Sequence, residues 1–184
     1  MNNGWLQGVR RVPSVNFNDR PENMPVDLLV IHNISLPPGE FSADDLNCSY
    51  IDDLFCNQLD VYAHPAFVSL QSLRVSSHFL ISRQGVVTQY VPLTKRAWHA
   101  GISQWQGREN CNDYSVGIEL EGTDNTPYTD NKYAVLTQLT QMLIQQYPAI
   151  SSERIVGHCD VAPDRKTDPG VAFDWGRYRS SLHG

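Results

Sequence analysis

Leu28-Leu29-Val30-Ile31-His32-Asn33 is a short apolar run that ends on an imidazole and an amide. Four aliphatic residues in a row, bounded by polar ones, read as a buried central strand with His32 at its end. Working outward, residues 77–82 and 86–91 flank the turn signal Arg83-Gln84-Gly85 and are predicted to pair as a hairpin. Residues 115–120 form a further predicted strand, and Ile155-Val156 a short last one. Tyr133, Leu136, Leu143, Ile144 and Tyr147 recur at helical spacing, with Thr129 as N-cap and Pro148 as stop. Shorter helices are predicted within residues 44–54 and over 174–182, while 64–75 shows no decisive pattern. Pro13, Pro21 and Pro25 mark the first 25 residues as irregular chain wrapping the surface, and Pro37-Pro38-Gly39 makes a rigid loop after the central strand. Strands mixed with one long helix predict an α/β fold, a sheet with helices packed on it.

A chain of 184 residues is long enough to bury one core, and without repeats or Gly/Ser linkers a single domain over 1–184 is expected. Twenty acidic against fourteen basic residues leave a net charge of −6, which argues against nucleic acid and anionic membranes as partners. No apolar stretch approaches the roughly 20 residues that span a bilayer. Arg10-Arg11 leads into Val12-Pro13-Ser14 and not into an apolar run, so no export signal is read and the cytoplasm is the expected compartment. Cys48, Cys56, Cys111 and Cys159 are scattered, and a reducing compartment keeps them as thiols.

The chemistry gathers in Gly157-His158-Cys159-Asp160-Val161-Ala162-Pro163-Asp164-Arg165-Lys166-Thr167-Asp168-Pro169-Gly170. Its glycines and prolines predict a loop and not a helix. His158 and Asp168 suit two ligands of one metal ion, and His32 offers the third. Two histidines and an aspartate match the pattern of a catalytic zinc site, which keeps a position open for water. No CxxC pattern supports a structural zinc site. Lys166 is expected to project into the same pocket and to stabilise the oxyanion formed when water adds to an amide carbonyl.

In Ser115-Val116-Gly117-Ile118-Glu119-Leu120-Glu121-Gly122, alternation puts Val116 and Ile118 on one face and Gly117, Glu119 and Glu121 on the other. A carboxylate inside such a strand is unfavourable unless paired or near a cation. Beside zinc, Glu119 acquires a purpose, to accept a proton from water; on spacing alone, a partly exposed strand residue in a surface salt bridge is the commoner fate of Glu119 and still more of Glu121. Of the other histidines, His78 reads as a hydrogen-bonded core residue, His64 as structural, His99 as lining a pocket, and His183 lies in the tail. Two readings of other kinds stay open: a recognition module that binds without cleaving, and a cysteine hydrolase using Cys111 or Cys159.

The chain resembles the AmpD-type N-acetylmuramoyl-L-alanine amidases, within the amidase type 2 and peptidoglycan-recognition superfamily. The resemblance covers almost the whole chain. It is carried by Arg10-Arg11-Val12-Pro13-Ser14, His32-Asn33-Ile34-Ser35-Leu36-Pro37-Pro38-Gly39-Glu40-Phe41, Lys95-Arg96-Ala97-Trp98-His99-Ala100-Gly101, Cys111-Asn112-Asp113, Gly117-Ile118-Glu119-Leu120-Glu121-Gly122 and the His158–Asp168 segment. It implies one domain with a central mixed β-sheet, one zinc ion on His32, His158 and Asp168, Glu119 handling the proton and Lys166 stabilising the tetrahedral intermediate. Asn33, Arg74, Trp98, Arg108 and Arg165 fall in motifs that bind substrate, although a structural ion pair serves Arg108 equally well. The implied reaction cuts the lactyl–L-alanine amide of 1,6-anhydro-N-acetylmuramoyl peptides during cytoplasmic peptidoglycan recycling. In the family, loss of that activity lets anhydro-muropeptides accumulate and can induce a β-lactamase. A monomer is expected, and residues 42–48, the least matched, are expected to alter the mouth of the site.

Overall fold

A computed structural model of the chain describes residues 3–41 and 49–182. The aliphatic run becomes β3 (Leu28–Ile34), buried from Leu28 to His32. Its partners are β9 (Ser115–Glu121) on one side and β10 (Ile155–Gly157) on the other, both parallel to it. The predicted hairpin is β4 (Phe79–Ile81) with β5 (Val87–Gln89), and β4 joins β9 in parallel. β1 (Arg10–Arg11) adds to β5, which gives a six-stranded mixed sheet in the order β1-β5-β4-β9-β3-β10.

Period-2 alternation sorts the sheet into two faces. Leu29 and Ile31 of β3, with Val116, Ile118 and Leu120 of β9, meet Leu136, Leu139 and Leu143 of α2 (Asp130–Gln146) and Tyr178 of α4 (Trp175–Ser181). The α2 N-cap is Thr129, whose hydroxyl accepts from Lys132 N, as the sequence predicts. On the opposite face, Leu28 and Val30 pack with Ala100, Tyr114 and Val156, and α1 (Ser49–Phe55) covers Leu80 and Tyr90. His32 shares the parity of Leu28 and Val30, and so belongs to this second face.

Two expectations need correction, and one open segment is settled. The first 25 residues do more than wrap the surface: β1 extends the sheet, and β2 (Phe17–Asp19) pairs antiparallel with β6 (Lys95–Ala97). Such two- and three-residue strands carry no alternation, and their partners supply the hydrogen bonds that define them. The segment after Gly157 is not all loop, because His158–Val161 makes one helical turn, α3, with Gly157 N donating to Asp160 Oδ2 at 2.7 Å. Pro65–Leu70, where no pattern was decisive, is a 3-10 helix started by His64 Nδ1 accepting from Ala66 N. A small hairpin, β7 (Gln104–Trp105) with β8 (Arg108–Glu109), completes the strands. Residues 42–48, expected to shape the mouth of the site, lie outside the described residues, as do Cys48 and His183. Among the described residues no helix is long and apolar enough to cross a membrane.

Candidate active site

The parallel register assembles the site. His32 of β3 lies opposite Glu119 of β9, and Gly157 of β10 lies opposite Ile31, so His158 follows directly beside His32. All three sit at the carboxyl ends of adjacent parallel strands, where open α/β sheets leave a crevice. The chain then returns through Asp168, whose carbonyl accepts from Cys159 N at 2.9 Å. His32 Nδ1, His158 Nδ1 and Asp168 Oδ2 end 2.9, 3.2 and 3.1 Å from one another.

That spacing fits a metal. Ligand atoms about 2.0–2.1 Å from a zinc ion stand about 3.3 Å apart at the corners of a tetrahedron. Two imidazole nitrogens in contact cannot both be donors, and two lone pairs face to face repel unless a cation lies between them. Burial pushes the His32 imidazole down to about 4, which keeps it in the neutral form a ligand needs. Burial alone would raise the Asp168 carboxyl, but hydrogen bonds to His158 and His32 outweigh it and hold Asp168 ionised. Both histidines are anchored through their other nitrogen, His158 Nε2 at 3.2 Å from Ala100 O and His32 Nε2 at 2.9 Å from His99 Nδ1.

Glu119 faces this cluster. It is 8% exposed, and its Oε2 is buried with no hydrogen-bond partner among the described residues. Burial first, then the Asp168 charge, push its carboxyl well above the usual range. The cleft around it encloses about 410 Å³ and is lined by His32, His158, Asp168, Glu119 and Lys166. Asn33, Arg74, Trp98 and Arg165 complete its polar rim, and Leu36, Leu54, Phe55 and Leu70 form an apolar wall. Asn33 also ties the loop beyond Asp168, donating to Pro169 O at 3.1 Å and to Asp124 at 2.8 Å. Arg165 donates to Ala100 O and Ile102 O, at 2.7 and 2.9 Å.

Arg108 is not brought to the cleft. It donates to Asp27 at 2.7 Å and stacks on Tyr114, the structural ion pair left open above. Glu121 is not a surface residue: it is 3% exposed and accepts from Arg83 N at 2.8 Å. His78 is the core histidine expected, its Nδ1 accepting from Gly117 N at 3.1 Å. Cys111 is buried, with Sγ 3.3 Å from the Tyr114 hydroxyl. Burial raises the Cys159 thiol, so it stays protonated at neutral pH and is a poor nucleophile.

The family model described as N-acetylmuramoyl-L-alanine amidase matches residues 22–171, a span that includes every element of the cleft. The chain belongs to that family. This amidase, a hydrolase, is 57% identical over 176 residues to the 1,6-anhydro-N-acetylmuramyl-L-alanine amidase AmpD of Escherichia coli strain K12, covering 96% of this chain and 93% of that protein. A crystal structure of a selenomethionine AmpD derivative superposes with a TM-score of 0.93 at 53% identity, covering 99% of this chain and 98% of that one. The N-acetylmuramyl-L-alanine amidase AmiD of Escherichia coli, solved with its substrate anhydro-N-acetylmuramic acid-L-Ala-D-gamma-Glu-L-Lys, matches with a TM-score of 0.61 at 27% identity. That match covers 90% of this chain and 65% of AmiD. The single mixed sheet with its helices is thus the architecture of AmpD and AmiD.

Proposed function

We propose that this amidase is a zinc enzyme that hydrolyses the amide between the lactyl group of 1,6-anhydro-N-acetylmuramic acid and L-alanine, with one zinc ion per chain. The observation that carries the reading is the meeting of three lone-pair donors in one cleft with Glu119 Oε2, which is buried and has no partner among the described residues. His32 Nδ1, His158 Nδ1 and Asp168 Oδ2 would hold the ion. Zinc in such a site acts as a Lewis acid on a carbonyl and lowers the pKa of water from about 15.7 to about 7.

Glu119 Oε2 takes a proton from the attacking water and passes it to the departing nitrogen of L-alanine as the C–N bond breaks. Lys166 Nζ balances the negative charge gathering on the former carbonyl oxygen. Arg74 and Arg165 at the rim suit the carboxylates of a stem peptide, which guanidinium groups bind in pairs of hydrogen bonds. Trp98 offers a flat apolar surface for the bicyclic sugar, and Asn33 closes the site beside Asp168. Support for the substrate comes from the AmpD relative, named for the anhydro sugar, and from the ligand held by AmiD. The enzyme acts as a monomer in the cytoplasm, releasing stem peptide in peptidoglycan recycling, and its loss lets anhydro-muropeptides accumulate and induce β-lactamase.

Mass spectrometry after incubation with 1,6-anhydro-N-acetylmuramoyl tripeptide tests this directly. Free tripeptide is expected, lost on chelation and restored by zinc. Binding without cleavage would favour a recognition module, and cleavage indifferent to chelation would remove the metal from the reaction.

A further inference from the structure

An imidazole can present Nδ1 as a lone pair only if its single proton sits on Nε2. For His158 the backbone makes that choice, since Nε2 faces the Ala100 carbonyl oxygen, which only accepts. Among the described residues His32 has no such carbonyl partner. Its Nε2 is 2.9 Å from His99 Nδ1, and His99 Nε2 is 3.1 Å from the Ser115 hydroxyl. Ring and hydroxyl can each donate or accept, so the row Ser115–His99–His32 has two self-consistent directions. In one, every hydrogen bond points inward from Ser115 and His32 keeps its proton on Nδ1, facing Asp168 at 3.2 Å. In the other, His32 Nε2–H donates to His99, His99 Nε2–H donates to Ser115, and His32 Nδ1 is bare. Only the second can bind a cation.

The His99 ring is built into this position. His99 N and Ala100 N both donate to Asn112 Oδ1, at 3.1 and 2.8 Å. The ring lies so close over Gly117 that a Cβ there would come within 2.5 Å of it. The dipeptide His99-Ala100 therefore supplies the partner of each histidine in the donor set.

We propose that His99 is a positioning residue for metal binding, accepting the His32 Nε2 proton when the site is loaded and reversing its own tautomer when the site is empty. The inference rests on the zinc reading above. Ring nitrogen-15 chemical shifts of the zinc-loaded protein should place the proton on Nε2 in both His32 and His99, and those of the chelated protein on Nδ1 in both. A loaded His99 with its proton on Nδ1, or identical tautomers in the two states, overturns the proposal. Zinc affinity, read by competition with a chromophoric chelator, gives an independent measure. His99→Leu should weaken binding by about 10–100-fold, while His99→Asn, which keeps an acceptor near the Nδ1 position, should restore most of that loss. Parent-like affinity in a folded His99→Leu variant sinks the idea. A parent protein that takes up no zinc at all would instead overturn the metal reading itself, and this inference with it.

Discussion

At Glu119 a cost in stability meets the chemistry proposed above. A buried carboxyl without a partner destabilises a fold, and Glu119 Oε2, which has none among the described residues, is held beside a second carboxylate. Glu119→Ala is expected to lower turnover by at least about 10²–10⁴ while zinc stays bound; metal analysis of the purified variant checks this, and loss of zinc would make Glu119 a structural residue. Lys166→Ala should reduce kcat by about 10²–10³ with unchanged zinc content, read by steady-state kinetics beside the same metal analysis. The meeting of His32, His158 and Asp168 was legible in the sequence because a histidine, a lysine and an aspartate share one short segment and another histidine follows an apolar run. The roles of the arginines were not. The resemblance places Arg108 and Arg165 alike in substrate-binding motifs, and what separates them is Asp27, 81 positions away from Arg108 in the chain. His99 was legible only as a pocket residue, since its partnership with His32 depends on the space left by Gly117.

At the scale of elements, periodicity predicted what tertiary pairing did not have to create. β3, β9, β10, the hairpin and α2 all carry their signal locally, in aliphatic runs, turn residues and a cap. β1, β2 and β6 exist because a neighbour offers hydrogen bonds, and no window of the sequence reveals that. His78 belongs to this scale, because its Nδ1 joins the start of β4 to Gly117 of β9. Burial, then the Arg20 guanidinium, push its pKa down to about 3. The unfolded chain takes up that proton near pH 6.5 and the folded one resists it until about 3, so His78 adds stability above pH 6.5 that fades as pH falls through this window. Urea unfolding of the chelated protein should therefore show His78→Asn losing less stability than the parent between pH 6.5 and 4. Parallel losses would place the acid sensitivity elsewhere.

For the molecule as a whole, the donor set links β3 to the segment after β10, and a bound ion would brace the two. Anything that binds only the folded state raises stability by mass action, about 4.1 kcal/mol at a ligand concentration 1,000 times its Kd. For a chain of this size that corresponds to a rise in Tm of about 8–16 °C. Calorimetry of chelated and zinc-reconstituted protein checks it, and coincident transitions would exclude a metal held by the folded triad. His158 and Asp168 follow His32 by 126 and 136 positions. On the ribosome the first donor therefore emerges long before its companions, and the triad is complete only once the segment after β10 has been translated. A product that stops short of Asp168 lacks at least one of the three donors, and on the zinc reading proposed above it would have no complete site at which to hold the ion.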